Sequence, residues 1–244
     1  MRIWRYKGLL IALTIIVVII IIASIALYPF LTMNPVDTGA IKDTDVIAIK
    51  NKKNNLYLIE SADGYIVIDA GSDVSEVKRS LEQLSIAITD IRYVLLTHTD
   101  YDHVAALNLF SHAKIFMDAD ELKMIDSSTK RSIFGRNELP VDAEDLTLIN
   151  DGQELNLGGR KIEWIKTSGH TPGSASFLID EQYLFTGDAI KVSGNVMGIH
   201  PFTMDKEASR KTIRQLQDIL PRTRFLFTAH YGYHEAKGIK IEIM

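Results

Sequence analysis

The sequence predicts an α/β (α+β) domain, two β-sheets packed face to face with helices outside, preceded by one transmembrane helix. Three observations carry this. An uncharged run of 19 residues, Leu9 to Leu27, lies near the N-terminus. Beyond it, apolar segments of strand length alternate with turns rich in Gly, Asn and Asp. Those segments form two series, each with a covering helix, and two such half-covered sheets are best buried against each other.

Within Leu9 to Leu27 only Thr14 and Ser24 are polar. As a helix the run would reach about 28 Å, close to the thickness of a bilayer's hydrocarbon core. Arg2, Arg5 and Lys7 are the only charges before Asp37, and Trp4 and Tyr28 flank the run as interfacial aromatics. The positive flank is expected to stay in the cytoplasm, with the domain across the membrane, in a single-pass cell-membrane protein. A cleaved signal, with Ser24 and Ala26 before the cut, would release a secreted domain, but the run exceeds the ~7–15 residues of a signal core. The expected division is residues 1–35 for stub, helix and linker, and residues 36–244 for the domain.

In the first series, Val46–Lys50, Asn55–Glu60 and Tyr65–Asp69 read as strands, Asp73–Leu84 as a helix with Val77, Leu81 and Leu84 at helical spacing, and Arg92–Leu96 as a strand. His103–Ser111 suits a short helix and Lys114–Met117 a strand. Asp126–Asp145, carrying Lys130, Arg131 and Arg136, has no clear period and reads as a loop, a solvated insertion or a lid. In the second series, Leu146–Ile149, Gln153–Leu157, Lys161–Thr167, Ser174–Ile179, Tyr183–Phe185, Arg224–Phe227 and Ile239–Ile243 read as strands. Asp205–Leu220 reads as the covering helix, stopped by Pro221.

Composition narrows the chemistry. With no cysteine there are no disulfides, thiolate ligands or cysteine nucleophile. Past the basic stub the chain has 24 basic against 31 acidic residues, a net −7 that argues against a nucleic-acid partner. G-x-S-x-G, G-x-x-x-x-G-K and G-x-G-x-x-G are all missing.

The informative segment is Thr97-His98-Thr99-Asp100-Tyr101-Asp102-His103, four potential metal ligands just after an apolar strand. Capping and a solvated loop are the competing explanation. Three more candidates follow predicted strands: His170 in Ser168-Gly169-His170, Asp188 in Thr186-Gly187-Asp188, and His230 in Thr228-Ala229-His230. Strand ends on one edge of a rigid scaffold can converge such side chains.

The series His98-x-Asp100-x-Asp102-His103, then His170, Asp188 and His230, resembles that of the metallo-β-lactamase-fold hydrolases, in order and spacing from about Asp45 onward. The resemblance implies a four-layer αββα sandwich with a two-metal site at one edge. It further implies that His98, Asp100 and His170 hold one ion, that Asp102, His103 and His230 hold the other, and that Asp188 bridges them. Asp69, in Val67-Ile68-Asp69, matches an early aspartate that supports the metal loop without binding metal. Asp100 stands where the commonest family pattern has histidine. The added carboxylate hardens the site, so iron or manganese become alternatives to the default zinc.

Two such ions would activate a bridging water and polarise the substrate. The implied function is a membrane-anchored hydrolase using metal-bound hydroxide on a small-molecule ester, lactone, thioester or amide. Asp102 is the implied catalytic residue, binding metal and handling the proton. Tyr231 is a hydrogen-bond donor to the reacting group or a packed strand-end residue. His200 is expected to line the same cleft, His234 to be a supporting or solvated residue, and His112 to cap a helix. Asp118, outside the motif, is expected to be a spectator. The alternatives are a non-catalytic member of the fold, disfavoured because all seven positions hold ligand-capable residues, and a redox, flavodiiron-like member. The latter needs a flavin-binding domain, for which the 14 residues after His230 leave no room.

Overall fold

Successive residues on a β-strand face opposite ways, and in this chain both faces of the two main sheets are covered. The structure, a computed structural model, describes residues 2–126, 128–129 and 137–241. It divides into two compact units, Met1–Met33 and Asn34–Met244.

The first unit is a helix, α1 (Arg2–Thr32), which extends beyond the apolar run at both ends and continues through Pro29. Its segment Leu10–Thr32 contains an 18-residue window with a mean hydropathy of 3.3, none of it buried. Those 23 residues span about 35 Å as a helix, enough to cross a membrane by length and composition. The same properties suit a signal sequence. The Thr14 hydroxyl donates to the Leu10 carbonyl at 2.9 Å, so this polar group is satisfied inside the helix.

The second unit begins with seven strands: β1 (Gly39–Ala40), β2 (Val46–Asn51), β3 (Asn54–Ser61), β4 (Gly64–Ile68), β5 (Ile91–Leu95), β6 (Lys114–Asp118) and β7 (Leu146–Ile149). They form one sheet in sequence order, antiparallel from β1 to β4 and parallel from β4 to β7. The chain continues through β8 (Glu154–Leu157), β9 (Arg160–Lys166), β10 (Ala175–Ile179) and β11 (Tyr183–Phe185). Then come β12 (Lys191–Ser193), β13 (Val196–Gly198), β14 (Phe225–Phe227), β15 (Tyr233–Glu235) and β16 (Lys240–Ile241). The second sheet has the order β15-β14-β11-β10-β9-β8, and β12-β13-β16 make a small third one.

The layers follow from where alternating side chains go. Tyr57, Ile59, Ile66 and Ile68 join Trp164, Phe177, Phe185 and Phe227 in the core between the sheets. Their neighbours Leu58 and Val67 point the other way, to Val77 and Leu81 of α2 (Val74–Gln83) and to Val104 and Phe110. On the far side, Leu178, Leu184 and Leu226 pack under Ile213 and Leu216 of α5 (Lys206–Ile219). The result is helix, sheet, sheet, helix, as the resemblance implied. Asp73 and Asp205 cap α2 and α5 by accepting backbone N–H groups, which sets both starts where the sequence placed them.

Several expectations need correction. The strand through Asp69 stops at Ile68, because Asp69 turns to a φ of 61°. The helix expected over His103–Ser111 is instead α3 (Tyr101–Val104) followed by a 3₁₀ turn, Leu107–Phe110. Two hydrogen bonds explain the break. The Asp102 carbonyl accepts from Asn54 Nδ2, and the Ala106 N–H donates to the Gly71 carbonyl at 3.0 Å, so the pair that would extend the helix is already used. A short helix, α4 (Leu122–Ile125), and the strands β12, β13 and β15 were not expected. His112 caps no helix; its ring bonds the Ile91 carbonyl at 3.1 Å. Asp118, expected to be a spectator to the chemistry, is buried, and its carboxylate accepts from Trp164 Nε1 at 3.3 Å. Lys130, Arg131, Arg136 and Ile243 lie outside the described residues.

Candidate metal centre

The loops after β5, β9, β11 and β14 open at one end of the two sheets and bring their polar side chains together. The loop after β5 carries His98 and Asp100, and α3 carries Asp102 and His103 on one turn. Asp100 occupies the N-cap position of α3 but makes no capping bond with its side chain. Its Oδ2 instead lies 3.0 Å from His170 Nε2 and 3.5 Å from His98 Nε2, and its Oδ1 accepts from Asn137 Nδ2 at 3.0 Å. The capping explanation of this loop therefore fails.

Three of the histidines are oriented by their other nitrogen. His103 Nδ1 donates to Asp69 Oδ2 at 2.8 Å, His230 Nδ1 donates to the Lys53 carbonyl at 2.7 Å, and His98 Nδ1 lies 3.0 Å from Thr97 Oγ1. This leaves the Nε2 atoms facing inward, the arrangement that fixes tautomer and ring angle in metal sites. Asp69 also accepts the Thr97 N–H at 2.8 Å, so it braces the loop from inside without entering the cluster.

Asp188 sits at the centre. Its Oδ2 lies 3.1 Å from His230 Nε2, 3.5 Å from His170 Nε2, 3.6 Å from His200 Nε2 and 3.7 Å from His103 Nε2. Gly187 makes this approach possible, since a Cβ there would stand 2.4 Å from Thr97 Oγ1. Among the described residues, three sets of donor atoms are close enough to hold a metal ion: His98, His170 and Asp188; Asp102, His103 and His230; and Asp188, His200 and His230. Asp102 is the open member, with a side chain 44% exposed and Oδ2 3.4 Å from His230 Nε2.

Charge and burial oppose each other here. Burial disfavours the charge on Asp188, yet His200, His230 and His103 around it hold its carboxyl well below the usual range. Asp100 is likewise held well below it against its burial, by His170 and His98. Burial pulls His103 and His230 down, but Asp69, Asp102 and Asp188 outweigh it at His103, as Asp188 and Asp102 do at His230, and leave both above the ordinary histidine value. Burial wins at His170, which falls to about 4, and at His200, also well below normal.

Three supporting residues escaped the sequence reading. Glu121, fully buried, accepts at Oε1 from the Thr99 N–H and hydroxyl, both at 2.8 Å. Its Oε2 accepts from the Thr171 hydroxyl at 2.7 Å and the Gly173 N–H at 3.1 Å. It thus ties the His98–Asp100 loop to the His170 loop. Asn137 braces Asp100, and Asn54 holds the Asp102 carbonyl. All act across long sequence separations, and no local motif marks them. Tyr231 is buried with its ring 5.9 Å from that of His200. His234 points away and bonds the Tyr231 carbonyl at 3.1 Å.

The family model of the metallo-beta-lactamase superfamily matches residues 51–230, most of the second unit. The chain belongs to the metallo-beta-lactamase superfamily. Among superfamily relatives, the probable polyketide biosynthesis zinc-dependent hydrolase BaeB of Bacillus velezensis is 29% identical over 146 residues, 58% of this chain and 57% of that protein. Hydroxyacylglutathione hydrolase GloC of Haemophilus influenzae is 27% identical over 157 residues, 62% of this chain and 73% of that protein. Among solved structures, a beta-lactamase from Chitinophaga pinensis matches with a TM-score of 0.64 at 24% identity, covering 80% of this chain and 78% of its own, which establishes the shared fold.

The donor set fits the divalent ions of such relatives. Among the described residues, His98 Nε2, His103 Nε2 and Asp188 Oδ1 are buried with no hydrogen-bond partner. Buried polar atoms left this way are costly unless something binds them. Imidazole and carboxylate together suit zinc, iron or manganese.

Proposed function

We propose that the chain is a membrane-anchored binuclear metallohydrolase acting on a small-molecule ester, lactone, thioester or amide. The observation that carries this is the convergence of inward-facing imidazole and carboxylate atoms around Asp188. In this reading His98, Asp100 and His170 hold one divalent ion, Asp102, His103 and His230 hold a second, and Asp188 bridges them. Zinc is the default, and the Asp100 carboxylate makes iron or manganese alternatives. When bound, such a pair supplies an activated water and polarises the scissile carbonyl. Asp102 is the catalytic residue. Its carboxylate, facing solvent beside His230, orients the water, takes its proton and returns it to the leaving group. Asp69 and Glu121 hold the loops in place, and Tyr231 lies near enough to His200 to border the substrate.

Helix α1 acts as the anchor, with residues 1–35 as stub, span and linker and residues 36–244 as the domain. Arg2, Arg5 and Lys7 keep the N-terminus cytoplasmic and put the domain outside. The reading is tested by assaying purified protein on ester, lactone, thioester and β-lactam substrates before and after chelation. Hydrolysis that disappears with the metal and returns on its readdition is expected. Hydrolysis indifferent to chelation would refute it.

A further inference from the structure

His200 has the placement of a ligand without belonging to the ligand series read from the sequence. It follows β13 and is 1% exposed. Among the described residues, neither of its ring nitrogens has a hydrogen-bond partner. A buried polar group without a partner is costly, so a fold that keeps one needs a reason. Its loop is clamped over the cluster: the Met204 N–H donates to the Gly169 carbonyl at 3.0 Å, and the Asp205 N–H to the same carbonyl at 2.9 Å. The ring stacks on that of His230 with centroids 5.6 Å apart and meets that of His170 edge-on at 4.9 Å.

Distances give the reason. Two donors on one ion, each about 2.1 Å from it, stand about 3.0–3.5 Å apart at right or tetrahedral angles. His200 Nε2 lies 3.6 Å from Asp188 Oδ2, between the 3.5 Å of His170 and the 3.7 Å of His103. By this measure His200 is indistinguishable from the histidines already placed in the centre, and its donor atom groups with those of Asp188 and His230.

We propose that His200 is itself a metal ligand, donating to the ion held by His230 and Asp188. The inference rests on the metal centre proposed above and extends it. Protein donors on that side then number five: Asp102, His103, Asp188, His200 and His230. That exceeds the four of tetrahedral zinc and favours ions that accept five or six ligands, such as manganese or ferrous iron.

The test uses the full chain in detergent, stripped of metal and titrated with Co²⁺, Zn²⁺ and Mn²⁺ against a competing chelator. Wild type, His200→Ala, His200→Gln and the exposed control His112→Ala are compared for ions per chain, affinity, the visible Co²⁺ spectrum and the metal-free melting temperature. The expected result is two ions in wild type and control. In both His200 variants one ion is unchanged, while the other is weakened at least tenfold with an altered Co²⁺ spectrum. His200→Gln, close in size, guards against a folding defect in His200→Ala. Unchanged affinities and spectra in His200→Gln would overturn the proposal, even if turnover changed, because His200 would then face the substrate only. A lowered metal-free melting temperature with unchanged metal binding would also overturn it. Wild type that takes up no metal refutes the centre itself, a different outcome from failure of His200 alone.

Discussion

Glu121→Gln isolates the clamp between the two ligand loops. The native carboxylate accepts four hydrogen bonds, two at each oxygen. A glutamine amide keeps one accepting oxygen and replaces the other with a donor. The threonine hydroxyl at that end can rotate to accept, but the backbone N–H, of Thr99 or of Gly173, cannot. One orphaned buried N–H costs about 1–3 kcal/mol, and the weaker bonds to a neutral acceptor cost about 1 kcal/mol more. Against this, burial pushes the Glu121 carboxyl up, so removing its charge returns roughly 1 kcal/mol. The net is a loss of about 2 kcal/mol, or a melting temperature lower by about 4–8 °C for a domain of this size. Gly173 offers no room for adjustment, since even a Cβ there would stand 2.1 Å from the Glu121 nitrogen. Loosening the loops of His98, Asp100 and His170 should weaken one ion about 10–100-fold and spare the other. Thermal melts of the metal-free protein and a chelator competition read the two effects separately. A variant with wild-type stability and wild-type affinity for both ions would refute the clamp.

Asp102→Asn should lower turnover by about 10²–10⁴ with a stability change under about 1 kcal/mol, because the side chain is 44% exposed; Glu144→Gln on the surface is the neutral control, and wild-type turnover in Asp102→Asn would show that Asp102 does not carry the proton. The pH dependence of metal binding has a definite sign. The raised values of His103 and His230 mean that their protonated forms stabilise the metal-free fold below the unfolded pKa, a contribution lost as pH rises through the folded values, and metal must displace those protons. Falling pH should therefore release their ion first, by up to about 100-fold in affinity per pH unit for two protons, while His170 stays neutral to about 4 and retains the other ion longer; simultaneous loss, measured as ions per chain against pH, would contradict this. Protease added to intact spheroplasts should degrade the domain, and protection until lysis would reverse the topology, whereas a soluble mature form would indicate cleavage of the signal.

Much of this was legible in sequence for physical reasons. The strands covered on both faces read as near-continuous apolar runs, as at Tyr57-Leu58-Ile59, and α2 and α5 announce themselves by capping aspartates and helical spacing. The seven ligand candidates stand next to strand ends, so local context marked them. The three-residue strands β12, β13 and β15 are too short to show a period. Glu121 reaches its partners across 22 to 52 residues, and Asn54 meets Asp102 across 48, distances at which only the folded chain supplies the association. His200 was expected to line the cleft, but its place beside Asp188 depends on how the loop after β13 folds back over Gly169. The α3 boundary was misplaced for a similar reason, since its hydrogen bonds go to Asn54 and Gly71.

The central claim is that these residues hold two divalent ions bridged by Asp188. The most direct measurement is anomalous diffraction at the metal absorption edge from crystals of the metal-loaded protein. Two peaks are predicted, one among His98, Asp100 and His170 and one among Asp102, His103 and His230, both within coordination distance of Asp188. No peak at this end of the sheets, or ions bound only elsewhere, would contradict the account.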